Sequence, residues 1–177
     1  IVDRGGRAVL VSHLGRPKAA ADSKFSLRPV SHELARVLGR EVQFSTHTVG
    51  AEAVAATKAL ADGEILLMEN VRFFPGEESG DADFAAQLAE LGDAYVNDAF
   101  GTAHRAHAST SIVTRFFPED KAFGTLMVAE IEALRKVMAE PTKPLLAIIG
   151  GAKVSSKLAI LENMVEGVDR LMIGGGM

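Results

Sequence analysis

The 177-residue sequence predicts an α/β fold of the doubly wound type, and two observations carry that prediction. Short apolar runs recur along the chain, at Ala8–Val11, Glu41–Phe44, Ile65–Met68, Ala94–Val96, Leu146–Ile149 and Leu171–Ile173. Runs of this length fit strands covered on both faces, as in parallel sheets. Helical patterns lie between them, so the order is β-α-β repeated. That order implies right-handed crossovers and a parallel sheet.

The elements follow in order. Ala8–Val11 is a buried strand that ends at Ser12-His13. Ser26 can cap a helix running to about Leu38 and stopping at Gly39, with Val30, Leu34, Val37 and Leu38 on one face. A second helix covers about Val49 to Leu60 and ends near Asp62-Gly63. Asp81 can cap a third, with Phe84, Leu88 and Leu91 at spacings i, i+4 and i+7. The longest runs from about Leu126 to Glu140, where Pro141 and Pro144 stop it. Lys153 to Val165 forms the last. The Pro141–Pro144 break is the best boundary between parts of the chain.

Composition narrows the function classes. Of the residues, 47% are apolar and 24% charged, which is ordinary for a globular protein. A net charge of −4 argues against a general nucleic-acid or anionic-membrane binder. With no cysteine, disulfides, thiolate metal sites and a Cys nucleophile are excluded, and a reducing cytoplasmic setting fits. No apolar run reaches the roughly 20 residues of a membrane span. The first residues, Ile1 to Arg7, lack a signal-peptide pattern, and both ends of the sequence read as cut.

Against that negative balance, four cationic motifs stand at the ends of successive strands, where doubly wound sheets bind ligands. In Ser12-His13-Leu14-Gly15-Arg16-Pro17, a strand delivers His13 and Arg16 to one loop, and the planar Arg fork suits a carboxylate or phosphate. A solvated turn is the competing reading. In Glu69-Asn70-Val71-Arg72-Phe73, apolar neighbours imply a partly buried Arg72, which needs an anion. Glu69 could be that partner. Asn97 to His107 holds His104, Arg105 and His107 among small residues. His-x-x-His hints at a metal, but the intervening Arg favours an anion.

The fourth motif is Gly150-Gly151-Ala152-Lys153-Val154-Ser155-Ser156-Lys157, a strand running through glycines into a helix, a geometry that offers backbone N–H groups to phosphate. Lys153 and Lys157 lie one turn apart on one face. Neither the Gly-x-x-x-x-Gly-Lys-Ser/Thr loop nor the Gly-x-Gly-x-x-Gly fingerprint is present. That omission disfavours a dinucleotide-dependent oxidoreductase. A metabolite-binding module and a scaffold with solubilising surface cations stay as alternatives.

Taken in order, Ser-His-Leu-Gly-Arg-Pro at 12–17, Glu-Asn-Val-Arg-Phe at 69–73, Asn-Asp-Ala-Phe-Gly-Thr-Ala-His-Arg-Ala-His at 97–107, Gly-Gly-Ala-Lys-Val at 150–154 and Gly-Gly-Gly-Met at 174–177 resemble the phosphoglycerate kinase family. The resemblance covers nearly the whole chain. It implies two Rossmann-like domains that close by a hinge. Residues 1–125 would be the 3-phosphoglycerate domain lacking its first strand, 126–140 the interdomain helix, and 144–177 the start of the nucleotide domain. It implies reversible phosphoryl transfer between 1,3-bisphosphoglycerate and Mg-ADP, giving 3-phosphoglycerate and Mg-ATP in glycolysis. His13, Arg16, Arg72 and Arg105 would bind 3-phosphoglycerate, with His104 beside them. Lys153 and Lys157 would neutralise charge on the transferring group, and Gly151, Ala152 and Lys157 would meet the nucleotide. Mg2+ would arrive bound to ATP or ADP, and no residue here would ligate it. The parent would be a cytoplasmic monomer that binds neither nucleic acid nor membrane. Missing family segments at both ends imply that these 177 residues are inactive alone and that one sheet edge is exposed.

Overall fold

The computed structural model describes residues 1–17, 22–139, 141–151 and 158–175, the side chain of Ile160 excepted. The chain forms two compact units, Ile1–Gly124 and Thr125–Met177.

In the first unit, β3 (Ile65–Met68) is the centre. All four of its residues are buried, because β1 (Ala8–Leu10) and β2 (Gln43–Ser45) flank it and helices cover it. Both pairings are parallel: Ala8 stands opposite Ile65, and Gln43 opposite Leu66. Alternation along the strand then sorts its side chains into two cores. Leu66 and Met68 join Phe84, Leu88, Val113 and Phe117 on one face; Ile65 and Leu67 join Leu27 and Val42 on the other. Burying each such side chain stabilises the fold by about 1.5–3 kcal/mol relative to exposure. The covering helices are α1 (Arg28–Leu38), α2 (Ala51–Lys58), the single turn α3 (Pro75–Ser79) and α4 (Ala82–Ala89).

A separate parallel pair completes this unit: β4 (Tyr95–Asn97) beside β5 (Lys121–Phe123), with Tyr95 opposite Lys121. Among the described residues β1 and β4 each pair on one side only. Between them lies a cavity of about 760 Å³, lined by Ala8 to His13 along one wall and Ala94 to Ala99 along the other.

Several local expectations need correction. Leu27, not Ser26, occupies the N-cap position of α1, although the Ser26 hydroxyl still accepts the Arg28 N–H at 3.2 Å. The expected apolar face of α1 is largely uncovered: Val30, Val37 and Leu38 are exposed, and Val30 and Leu34 border the cavity. The strand expected at Glu41–Phe44 runs instead over Gln43–Ser45, and α2 is shorter than expected at both ends. Asp81 caps α4 as expected, accepting the Phe84 N–H at 2.7 Å, and Phe84, Leu88 and Leu91 are buried.

The second unit holds α5 (Thr125–Met138), β6 (Leu146–Gly151), α6 (Leu158–Val165) and β7 (Arg170–Gly175). The two strands pair in parallel from Leu146 opposite Arg170 to Gly151 opposite Gly175. Asp169 fastens the start of this ladder, accepting the Leu145 N–H at 2.7 Å and pairing with Lys143 at 3.1 Å. Those two contacts hold its carboxyl below the usual carboxylate range. The fold is thus mixed α/β with parallel strands throughout, as the sequence predicts.

Candidate functional site

The site grows from the carboxyl ends of β1, β3 and β4, and its first joint is made by three successive residues after β3. Asn70 donates from Nδ2 to the Leu14 carbonyl at 2.9 Å, Val71 donates its N–H to Ser12 at 3.2 Å, and Arg72 donates from Nη1 to Gly15 at 2.8 Å. The loop Ser12–Pro17 is therefore stitched to the loop after β3, carbonyl by carbonyl. Gly15 makes the close approach possible. Its φ of +61° is left-handed, and a Cβ there would run into the Phe25 ring.

Asn70 is fully buried and also donates to the Phe25 carbonyl at 2.9 Å, while its Oδ1 accepts the Arg72 N–H at 3.0 Å. Glu69 does not pair with Arg72, contrary to one sequence reading. Its carboxylate accepts from the Ser26 hydroxyl at 2.7 Å, the Leu27 N–H at 2.8 Å and the Asn70 N–H at 2.9 Å, which turns it toward the start of α1. The acidic neighbour of Arg72 is Glu78, at 3.5 Å from Nε, and only 9% of the Arg72 side chain is exposed. A nearly buried guanidinium needs such compensation.

The second joint ties α3 to the loop after β4. Glu77 is buried, and its carboxylate accepts from Ser109 twice, from the N–H at 2.9 Å and from the hydroxyl at 2.6 Å. His107 Nδ1 lies 3.7 Å from the same carboxylate, and the Ala108 N–H reaches the Glu77 carbonyl at 2.9 Å. Tyr95 donates its hydroxyl to the Ser109 carbonyl at 2.9 Å. Burial first, then the Glu77 charge, pushes the Tyr95 hydroxyl up to about 12.

His13 is half-buried and lines the cavity, as do His107, Asp98 and Thr102. Burial lowers its proton affinity, and the positive Arg72 lowers it further; the Glu77 charge opposes both. The structure thus brings His13, Arg72 and His107 together around Glu77 and Glu78. Arg16, His104 and Arg105 stand exposed on the flanking loops. His104 is exposed while His107 is buried, and among the described residues no group of three or more His, Cys, Asp or Glu could hold a metal ion.

Of the residues expected at the nucleotide end, Gly151 closes β6, whereas Ala152, Lys153 and Lys157 lie outside the described residues. The sequence reading missed Glu77 and Glu78. Their signal was available: two carboxylates in the first turn of a helix opened by Pro75, just after an apolar-flanked Arg.

The profile of the phosphoglycerate kinase family matches residues 1–177. The chain belongs to that family. It is 52% identical over 177 residues to a phosphoglycerate kinase of Moorella thermoacetica, covering all of this chain and 44% of that relative. To one from Methylorubrum extorquens it is 51% identical with the same coverage. In structure it resembles phosphoglycerate kinase from Coxiella burnetii, with a TM-score of 0.83 at 40% identity over 99% of this chain and 43% of that one. The Pyrococcus horikoshii phosphoglycerate kinase gives 0.84 at 29% identity, over 98% of this chain and 44% of the other. The chain spans less than half the length of these phosphoglycerate kinases.

Proposed function

We propose that residues 1–124 form the 3-phosphoglycerate half-site of a phosphoglycerate kinase, with His13, Arg16, Arg72, His104 and Arg105 around the ligand. The carrying observation is the placement of Arg72, hydrogen-bonded to the loop that bears His13 and Arg16 and ion-paired to the helix that anchors the loop after His104 and Arg105. Hydrogen bonds and one ion pair thereby link the loops of three cation-bearing motifs, in a chain of net charge −4, which supports this reading. Arg side chains suit the ligand because each can offer two parallel N–H groups to a carboxylate or phosphate.

In the proposed reaction a carboxylate oxygen of 3-phosphoglycerate attacks the γ-phosphorus of ATP, the bond to ADP breaks, and an acyl phosphate forms. The attacking oxygen is already ionised, so no general base is required. What the protein supplies is positioning and charge neutralisation. Lys153 and Lys157, with Gly151 and Ala152 along the nucleotide, would serve the transferring group. Mg2+ would be held through the nucleotide phosphates. The parent enzyme is proposed as a cytoplasmic, glycolytic monomer, a setting that a cysteine-free sequence suits.

An NMR titration of the labelled 177-residue chain with 3-phosphoglycerate, at low and moderate salt, tests this reading. Saturable shifts at His13, Arg72, His104 and Arg105 that weaken with salt are expected. A well-dispersed spectrum that stays unchanged would refute a half-site in these residues. The same sample is expected to show negligible turnover of 3-phosphoglycerate with Mg-ATP, and measurable turnover would overturn the expectation that the missing segments are essential.

A further inference from the structure

We propose that Glu77 is a positioning residue of the anion site, fixing the loop that carries His104 and Arg105 relative to Arg72. The inference rests on the 3-phosphoglycerate reading above and adds a residue that contributes no positive charge and is buried away from solvent.

A carboxylate only 2% exposed is costly unless its oxygens are satisfied. Here both oxygens are committed to one short segment. Oε1 takes the Ser109 hydroxyl at 2.6 Å and stands 3.7 Å from His107 Nδ1; Oε2 takes the Ser109 N–H at 2.9 Å. The backbone of Glu77 repeats the grip, its carbonyl accepting the Ala108 N–H at 2.9 Å. From Ser109 the constraint passes on. Thr110 Oγ1 donates to the Arg105 carbonyl at 3.4 Å, and Asn97 Nδ2 donates to the Thr110 carbonyl at 3.1 Å. The adjacent residue, Glu78, pairs with Arg72. One helical step of α3 therefore sets the spacing between two loops that approach from different strands, one bearing Arg72 and the other Arg105. The helix also runs close against that second loop, since a Cβ on Gly80 would come within 2.5 Å of the Ala106 carbonyl.

A purely structural role would make any comparably destabilising change equivalent. A positioning role makes ligand affinity depend on the Glu77–Ser109–Thr110 relay in particular. The test is calorimetric and NMR titration of the 177-residue chain with 3-phosphoglycerate, comparing wild type with Glu77→Gln, Thr110→Val and Asp81→Ala. Glu77→Gln keeps the shape but removes the charge. It is expected to weaken binding about tenfold, the scale of a lost charge-assisted hydrogen bond. Thr110→Val, which removes the hydroxyl donated to the Arg105 carbonyl and keeps the side chain's shape at the cavity wall, is expected to weaken it about threefold. Asp81→Ala destabilises α4 without touching the relay and is expected to leave the dissociation constant unchanged.

If Glu77→Gln does not fold, Thr110→Val decides alone. Binding at wild-type strength in both relay variants, or equal weakening in Asp81→Ala, would overturn the positioning role while leaving the 3-phosphoglycerate reading intact. A wild-type chain that does not bind would overturn that reading first, and the positioning role with it.

Discussion

Asn70 shows how much one buried amide can carry. It joins the loop after β1, the approach to α1 and the loop after β3 through three hydrogen bonds at 2.9–3.0 Å. Asn70→Ala would leave two carbonyls and one N–H without their partner, so we expect a loss of about 3 kcal/mol in chemical denaturation. A loss below about 1 kcal/mol would mean that water replaces the amide. His13 makes a different prediction. Its proton affinity is lowered in the fold by burial and by Arg72, while the unfolded chain keeps the ordinary value near 6.5. Below that pH the unfolded state takes up a proton that the native state resists, so stability is fully present above about 6.5 and falls as the pH drops through it. His13→Gln should flatten this part of the stability profile below about pH 6.5; an unchanged slope would assign it to other groups. At this scale the cationic residues were legible, because Arg and His after an apolar run are visible in one dimension. Glu77 was not. Its importance comes from Ser109, 32 positions away, and only the fold supplies that neighbour.

Elements were legible where local chemistry fixes them. The cap of α4 is one such place: Asp81→Ala is expected to cost about 1 kcal/mol, measured by thermal or urea unfolding. A cost near zero would mean that Ser79 or water takes over the Phe84 N–H. The central strand β3 was equally plain, because four apolar residues in succession have few alternatives to a strand covered on both faces. By contrast, β5 escaped the sequence reading. Lys121-Ala122-Phe123 has no β-branched residue and is exposed, and it is a strand only because β4 lies beside it. The turn of helix at α3 escaped too, since Gly76 at its start lowers the intrinsic preference that a sequence pattern can report. The apolar stripe of α1 is legible in the spacing, but its exposure is not. Spacing says which residues share a face; it does not say that anything in the same 177 residues packs against it.

At the scale of the whole molecule, the α/β class and the parallel pairing followed from the order of apolar runs, whereas the division of the strands among the described residues into three separate sheets did not. Pairing partners depend on crossovers that sequence order constrains without choosing. The gap between β1 and β4 has a consequence in time. Parallel strands direct successive N–H groups to opposite sides. Ala8 donates to the Glu64 carbonyl at 3.0 Å and Tyr95 to the Asp120 carbonyl at 2.8 Å, so the intervening amides of Val9 and Val96 point the other way, toward the cavity. In deuterium exchange each strand should then keep two clocks, with Val9 and Val96 losing their protons about tenfold or more faster than the residues on either side. Any ligand or segment that filled the gap would bring the two clocks into step, and the rate at which Val9 slowed would measure the filling.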